Sequence, residues 1–200
     1  MGRPGVRGGD RGQPRNPVRL ARLHARRPPR LLRGHLEDQV AALRALGARH
    51  RDLDLGRVGV RGWSYGGYLS ALAVLRRPDV FHAASAGAAP TDFRHYDTAY
   101  TERYLGLPRD APEVYERDSL LADAARLTRP LLLTTGLADD NVHPSHTLRL
   151  SRALTDAGRP HRLLALPGVT HMTPDGTREK VMALELEFFR EVLAGGPAAR

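Results

Sequence analysis

The sequence contains no cysteine, a single tryptophan and only one lysine among its 31 basic residues. Without cysteine the chain has no disulfide framework, no thiolate nucleophile and no cysteine-based metal or redox site. No apolar run approaches the roughly 20 residues that a membrane-spanning helix needs. Any covalent catalysis must therefore use a nucleophile other than cysteine.

The length and composition are those of a globular protein. The chain has 200 residues, of which 41% are hydrophobic and 26% are charged. These values exclude a wholly disordered chain and favour one soluble domain over a membrane protein. We expect a cytoplasmic protein, since the N-terminal region lacks the apolar core of a secretory signal.

The net charge of +9 is concentrated at the N-terminus. Residues 1–33 hold ten arginines and one acidic residue, whereas the rest of the chain holds 21 basic and 21 acidic residues. The same segment is rich in glycine and proline, has no aromatic residue and shows no helical or strand period. We therefore predict a disordered basic segment over residues 1–35 and a folded domain over residues 36–200.

Three explanations compete for the basic segment. A nucleic-acid-binding arm would have this charge, but the segment lacks the aromatic residues of a stacking surface. A targeting peptide would be rich in arginine, but the segment has no amphipathic stripe. We favour the third explanation: GC-rich DNA translated from a wrong start or frame also yields arginine, glycine, proline and alanine. On this interpretation the charge says nothing about a partner.

Downstream, helical periodicity alternates with short apolar stretches typical of buried parallel strands. Helices are predicted over residues 36–46, 65–75, 120–126, 144–158 and 177–193, and strands over 55–61, 81–87, 130–135 and 161–166. Residues 92–115 are predicted to be irregular and tyrosine-rich. The last helix places Val181, Leu184, Phe188 and Val192 on one stripe. The alternation predicts an α/β fold, a parallel sheet with helices on both faces.

The segment Gly62-Trp63-Ser64-Tyr65-Gly66 has the pattern G-x-S-x-G between a predicted strand and a predicted helix. In this context the pattern indicates a nucleophile elbow, a turn so tight that its central residue takes strained backbone angles. Side chains at Gly62 and Gly66 are expected to collide with the neighbouring strand and helix. Ser64 is the candidate nucleophile, and the backbone N–H of Tyr65 is the candidate oxyanion donor.

A serine nucleophile needs a base, and the base needs an acid that holds its tautomer. Asp139 and Asp140 follow the third predicted strand, and His171 follows the fourth. Each group thus lies beyond the carboxyl end of a strand, where an open α/β sheet carries its site. His171 is the candidate base, but spacing alone does not choose between the two aspartates.

A metal site is the alternative interpretation of one cluster. Asp139, Asp140, His143 and His146 are carboxylates and imidazoles within eight residues. We prefer the triad, because the acids have a simpler role there and the two histidines straddle a loop-to-helix junction. We therefore expect no metal and no cofactor.

Three motifs together resemble the prolyl oligopeptidase family, and most closely its dipeptidyl peptidase IV branch. They are the serine motif at residues 62–68, the acid loop at 136–143 and the histidine loop at 168–172. A fourth segment, residues 96–104, resembles the branch's Y-D-x-x-Y-T-E-R-Y block. The resemblance runs from about residue 36 to residue 193 and implies an α/β-hydrolase fold.

The resemblance also implies roles for individual residues. Ser64 would be the nucleophile, His171 the general base and Asp139 its orienting acid. An apolar pocket for a proline or alanine side chain would be walled by Tyr65, Phe93, Tyr96, Tyr100 and Val142. Asn141 would hydrogen-bond a substrate carbonyl.

Family members also have a β-propeller and further strands upstream, and residues 1–35 match neither. The resemblance therefore implies an N-terminally truncated catalytic domain, the latter part of the hydrolase fold. In the family a further hydrolase tyrosine completes the oxyanion hole, and nothing upstream of Leu36 supplies it. Because a missing oxyanion donor costs about 100- to 1000-fold in rate, we expect this polypeptide to be weakly active or inactive.

The predicted function is a serine-type peptidase that forms an acyl-enzyme on a peptide substrate. Two alternatives stay open: an esterase or other acyl hydrolase on the same fold, and a non-catalytic fragment with a basic nucleic-acid-binding arm. We expect neither a membrane nor a nucleic acid as partner, and homo-oligomerisation stays open.

Overall fold

The computed structural model of the protein describes the backbone of residues 31–194 and the side chains of residues 34–194. Most of the predicted basic segment, residues 1–30, lies outside this range, so its predicted disorder stays a prediction. Residues 31–35, the end of that segment, open the first helix.

Within residues 31–194 the chain forms six α-helices, two short 3₁₀ helices and four strands. In chain order these are α1 (Leu31–Arg49), β1 (Gly59–Trp63), α2 (Tyr65–Arg76), β2 (Ala83–Gly87), a 3₁₀ helix (Phe93–His95), α3 (Thr98–Leu105), α4 (Pro112–Arg117), a 3₁₀ helix (Leu121–Arg126), β3 (Leu131–Gly136), α5 (Ser145–Asp156), β4 (Arg162–Leu166) and α6 (Asp175–Ala194).

The four strands form one parallel sheet in the order β1-β2-β3-β4. Trp63 at the end of β1 is opposite Gly87 at the end of β2, and Gly87 is opposite Thr134 of β3. The carboxyl ends of the strands therefore share one edge of the sheet. Loops that follow different strands come together at this edge, as the sequence predicts.

Two apolar cores lie on opposite faces of the sheet. Successive side chains of a strand point to opposite faces, and strand β2 shows this directly. Ala84 and Ala86 join the larger core, which includes residues of α1, α2 and α5. Ala83 joins the smaller core, where Phe188 of α6 packs against Leu132. The predicted parallel sheet with helices on both faces is thus confirmed.

The elements differ from the prediction in several places. The first strand spans Gly59–Trp63 and not residues 55–61, and the helix predicted over residues 120–126 is a 3₁₀ helix. Helix α1 begins five residues earlier than predicted and continues two residues past Gly47. Residues 92–115, predicted to be irregular, contain α3 and the first four residues of α4. Helix α3 is only eight residues long, and it begins where the Asp97 carboxylate accepts a hydrogen bond from the Tyr100 N–H. This capping interaction is a local signal that the tyrosine-rich composition obscured.

The predicted stripe on the last helix is wrong at one position. Leu184 is 52% exposed, and Glu185 is buried in its place. The Glu185 carboxylate accepts hydrogen bonds from Arg61 Nη2 of β1 at 2.6 Å and from Ser85 Oγ of β2 at 2.7 Å. A buried carboxylate is tolerated when its lone pairs are satisfied, and here two strands satisfy them. Glu185 therefore fixes α6 on the sheet.

No helix within the described range is long and apolar enough to cross a membrane.

Removing the Glu185 carboxylate is expected to destabilise the fold. Glu185→Ala should lower the free energy of unfolding by about 2 kcal/mol, because hydrogen bonds to charged groups contribute roughly that much. Glu187 of the same helix is exposed and pairs with Arg190 at 3.7 Å. Glu187→Ala should therefore change the free energy of unfolding by less than about 0.5 kcal/mol. Urea unfolding of both variants gives the comparison, and equal losses would contradict it.

Candidate active site

Ser64 lies in the turn between β1 and α2 with backbone angles φ 58° and ψ −123°. Within residues 31–194, Ser64 and Ala88 are the non-glycine residues with positive φ. Such a conformation costs on the order of 1–3 kcal/mol and persists only where its surroundings enforce it. Here the Ser64 N–H donates to the Gly87 carbonyl at 2.8 Å, and the Ser64 carbonyl accepts from the Tyr68 N–H at 3.0 Å. The turn thus has the strained geometry of a nucleophile elbow.

Glycines around the turn allow backbone segments to meet, but not quite as predicted. A Cβ at Gly62 would come within 3.0 Å of the backbone of Gly66, as expected. A Cβ at Gly66 would meet no atom within 4 Å, so the predicted collision there is wrong. The collision occurs one residue later, because a Cβ at Gly67 would lie within 3.0 Å of the Gly87 carbonyl oxygen. Gly67 is therefore the residue that lets α2 approach β2.

The structure brings His171 and Asp139 together. His171 Nδ1 and Asp139 Oδ2 are 2.8 Å apart, and the Asp139 side chain is fully buried. The other carboxylate oxygen, Oδ1, accepts hydrogen bonds from the N–H groups of Asn141 at 3.0 Å and Val142 at 2.9 Å. Asp140, in contrast, is exposed. Geometry therefore distinguishes the two aspartates where spacing did not.

The loops that carry this pair are in direct contact. The Ala138 N–H donates to the Val169 carbonyl at 3.0 Å, and the Leu137 N–H donates to the Leu166 carbonyl at 3.0 Å. Gly136 lies so close to this loop that a Cβ would come within 3.0 Å of the Val169 oxygen. The acid loop after β3 and the histidine loop after β4 are thus held together independently of the aspartate–histidine pair.

Ser64 is connected to the Asp139–His171 pair through Trp63, the residue before it. Within the described residues no hydrogen bond joins Ser64 Oγ to His171, but the Trp63 indole Nε1–H donates to the His171 backbone carbonyl at 3.0 Å. The two rings lie 6.3 Å apart, centroid to centroid. A catalytic hydrogen bond often tightens only when substrate binds, so this geometry is compatible with a serine–histidine pair.

Tyr65 opens helix α2, where the first four N–H groups have no acceptor within the helix. Its backbone N–H is available to an anion beside Ser64, and the helix dipole favours negative charge there. Its ring is half-buried and stacks on Tyr68, and its hydroxyl is 2.7 Å from His35 Nδ1 of α1. Burial and the neighbouring Tyr100 raise the pKa of Tyr65 far above its usual range.

Three of the predicted substrate-facing residues form a group at the surface. The Tyr96 hydroxyl donates to Asn141 Oδ1 at 3.0 Å, and the Tyr96 ring meets the Tyr100 ring edge-on at 5.7 Å. Burial raises the pKa values of both tyrosines, so their hydroxyls stay protonated at neutral pH. Tyr96 occupies the Asn141 oxygen, and among the residues that the structure describes no acceptor takes a hydrogen bond from the Asn141 NH₂ group.

The other two predicted wall residues lie below the surface. Phe93 is buried and packs edge-on against Tyr68, with ring centroids 5.1 Å apart. Val142 is also buried, and its N–H is the one that holds Asp139. The roles of Phe93 and Val142 toward a substrate stay predictions.

The histidines of the alternative metal cluster face different surroundings. His143 is exposed and contacts Ser145, whereas His146 is buried with its Nε2 3.1 Å from the His95 carbonyl. Burial lowers the pKa of His146, which is therefore neutral at pH 7. Among the described residues no three His, Asp or Glu side chains form a group that could hold a metal ion.

Sequence reasoning missed the contact between Trp63 and the histidine loop. The pattern G-x-S-x-G gives no role to the residue before the serine. The available signal was the rarity of tryptophan, since Trp63 is the only one in the chain. It likewise missed the link between Arg61 and Glu185, which are 124 residues apart.

A parallel sheet with helices on both faces and a strained serine turn at its carboxyl edge is the α/β-hydrolase fold. The sequence model of the prolyl oligopeptidase family matches residues 30–196 of the chain. The chain therefore belongs to the prolyl oligopeptidase family.

Known relatives include dipeptidyl peptidases. Human dipeptidyl peptidase 8 is 44% identical over 139 residues, which cover 68% of this chain and 16% of that protein. Pig dipeptidyl peptidase 4 is 37% identical over 126 residues, which cover 62% of this chain and 16% of that protein. The chain thus spans about 16% of the length of these curated relatives.

A solved structure shows the same fold. The crystal structure of dipeptidyl peptidase 4 from Porphyromonas gingivalis superposes with a TM-score of 0.76 at 34% sequence identity. The match covers 82% of this chain and 23% of that one.

Gly66 and Gly67 offer a matched pair of substitutions in the first turn of α2. Gly67→Ala should destabilise the protein by about 1–3 kcal/mol, because its Cβ would press on the rigid backbone of β2. Gly66→Ala adds the same atoms into open space and should be neutral or slightly stabilising. Chemical unfolding measures both, and a Gly66→Ala variant as unstable as Gly67→Ala would contradict the assignment.

Proposed function

We propose that the chain carries the catalytic residues of a serine peptidase, with Ser64 as nucleophile, His171 as general base and Asp139 as the acid that orients the histidine. The observation that carries this proposal is the buried Asp139 carboxylate 2.8 Å from His171 Nδ1, beside a strained serine turn. An exposed surface pair would not need two further backbone N–H donors to hold its carboxylate.

The Asp139–His171 pair lets His171 act as a base toward Ser64. With Nδ1–H donated to Asp139, the imidazole presents an unprotonated Nε2 that can accept the Ser64 hydroxyl proton. The serine oxygen then forms a bond to the substrate carbonyl carbon, and the carbonyl oxygen becomes an oxyanion. The Tyr65 backbone N–H donates to that oxyanion.

Collapse of the tetrahedral intermediate completes acylation. The carbon–nitrogen bond breaks, and the imidazolium gives its proton to the leaving amine. A water molecule then loses a proton to His171 and attacks the acyl carbon. The bond between that carbon and Ser64 Oγ breaks, His171 returns the proton to Ser64 Oγ, and the acid is released. The buried negative charge of Asp139 stabilises the imidazolium in both halves of the reaction.

The substrate class we propose is a peptide cleaved after a small or proline residue near its amino terminus. The relatives named dipeptidyl peptidases support this class. The half-buried Tyr96 ring and the exposed Tyr100 ring offer flat apolar area that suits a proline ring, and they lose little conformational entropy on binding. The NH₂ group of Asn141 suits a second carbonyl of the peptide.

Labelling of Ser64 tests the catalytic assignment. The chain should react slowly with a fluorophosphonate probe at Ser64, in keeping with the weak activity expected of it, and Ser64→Ala should abolish labelling. Asp139→Asn should slow it by about 1,000- to 10,000-fold, because the asparagine favours the wrong imidazole tautomer. Rates are compared with the wild-type chain and the labelled residue is identified by peptide mass spectrometry.

Asp140→Asn is the matched control for Asp139→Asn. Asp140 is exposed and directly follows Asp139, so this variant loses the same charge at the neighbouring position. The Asp140→Asn chain should be labelled at the wild-type rate. If both variants were equally slow, or if the probe modified another residue, the assignment of Asp139 and Ser64 would be wrong.

An esterase is the second candidate, and Asn141→Ala separates the two. A peptide offers a second carbonyl to Asn141, whereas a simple acyl ester does not. Asn141→Ala should therefore raise KM for an Ala-Pro p-nitroanilide by about 3- to 10-fold, the value of one hydrogen bond, and leave hydrolysis of p-nitrophenyl acetate unchanged. Equal effects on both substrates, or ester cleavage alone in the wild type, would favour the esterase.

A further inference from the structure

Trp63 joins the two halves of the proposed site. It is the last residue of β1 and directly precedes Ser64, and its indole Nε1–H donates to the backbone carbonyl of His171 at 3.0 Å. Within residues 31–194 no other hydrogen bond connects residues 59–67 to residues 167–174. The serine turn and the histidine loop are therefore linked through this one donor.

The indole is held in the orientation that this hydrogen bond requires. Gly87 faces Trp63 across the β1–β2 pair, and a Cβ at Gly87 would lie within 3.0 Å of Trp63 Cε3. The missing side chain lets the ring lie across β2 toward the histidine loop. The Gly87 carbonyl also accepts a hydrogen bond from the Ser64 N–H at 2.8 Å. Gly87 therefore contacts both the proposed nucleophile and the indole ring.

Packing on this side of the histidine loop is loose. A cavity of about 330 Å³ adjoins Trp63 and His171 and is also lined by Met172, Val181 and Glu185. Met172, the next residue after the histidine, is exposed. On the other side the loop is locked to the acid loop through Val169 and Asp139. Arg178 of α6 also donates to the Thr173 carbonyl at 3.2 Å, two residues after the histidine. The Trp63 hydrogen bond is the contact that ties the histidine itself to the residue before Ser64.

We infer that Trp63 is a positioning residue that sets the distance between His171 and Ser64. The inference rests on the proposed function for its kinetic consequence, but the hydrogen bond itself does not. A displacement of about 1 Å between reacting groups can cost on the order of 100-fold in rate, so a single weak link at this point affects catalysis more than stability.

The chain allows an atomic test because it contains one tryptophan. Biosynthetic replacement of tryptophan by 3-benzothienylalanine changes only Trp63 and replaces the indole N–H by sulfur while keeping the shape of the ring. Trp63→Phe is the genetically encoded counterpart. Tyr115→Phe is the matched control, since it also keeps a buried ring and removes one side-chain donor to a backbone carbonyl, that of Gly106.

Two measurements are made on the full 200-residue chain. The first is the rate of Ser64 modification by a fluorophosphonate, resolved into the affinity for the probe and the maximal rate. The benzothienyl chain should lose about 5- to 10-fold in the maximal rate with unchanged affinity, and Tyr115→Phe should lose nothing. The second is the proton spectrum, in which the hydrogen-bonded Nδ1–H of His171 resonates downfield of the amide region.

In the benzothienyl chain this Nδ1–H signal should broaden through faster exchange with water, whereas Tyr115→Phe should keep it sharp. A benzothienyl chain with both the wild-type maximal rate and a sharp signal would overturn the inference and leave Trp63 as a packing residue. If the wild-type chain is not labelled at Ser64, the proposed function fails. The proton signal then still decides whether Trp63 holds the loop.

Discussion

The contact between helix α2 and strand β2 is the constraint on which the site depends. Gly67 faces the carbonyl of Gly87 at a distance that leaves no room for a Cβ atom. Every residue of β2 is alanine, serine or glycine, and all five are buried. Because the helix starts so close to the sheet, the chain must turn within one residue, and Ser64 takes the strained angles of that turn. The strain is thus a consequence of close packing between the two backbones.

The same contact aims the start of α2 at the carboxyl edge of the sheet. The free N–H groups of a helix N-terminus and its dipole then lie where negative charge would develop on a substrate. The acid and histidine loops reach this edge because β3 and β4 run parallel to β1. Three loops from three parallel strands therefore reach the same edge of the sheet, in the chain order serine, aspartate, histidine.

The sequence predicted the features that depend on local chemistry. The alternation of strands and helices and the elbow motif each rest on neighbouring residues. Features that depend on contacts across the fold escaped it. Glu185 reads as a surface residue until Arg61 and Ser85 are placed beside it, and Gly66 looks like the residue in contact until the register of α2 on β2 shows Gly67 instead.

The sequence also could not choose between Asp139 and Asp140 as the partner of His171. Both follow β3 in the same loop, and spacing treats them alike. What separates them is the turn itself, in which the N–H groups of Asn141 and Val142 fold back onto the carboxylate of Asp139. Burial then makes that carboxylate the one that can hold an imidazole. Only the three-dimensional path of the loop contains this information.

The proton-transfer groups and the substrate-facing groups of the proposed site lie on different kinds of structural elements. Asp139 follows the buried strand β3 and His171 follows the more exposed strand β4, and backbone hydrogen bonds join their two loops. Tyr100 lies on the short helix α3 and Tyr96 lies just before it, and the Tyr96 hydroxyl contacts the acid loop through Asn141. On the proposed function, substitutions on α3 can therefore change which substrate side chain is accepted without moving the proton-transfer groups. Asn141 is the exception, because its N–H helps to hold Asp139 while its side chain meets Tyr96. A change in its backbone position would affect recognition and chemistry together.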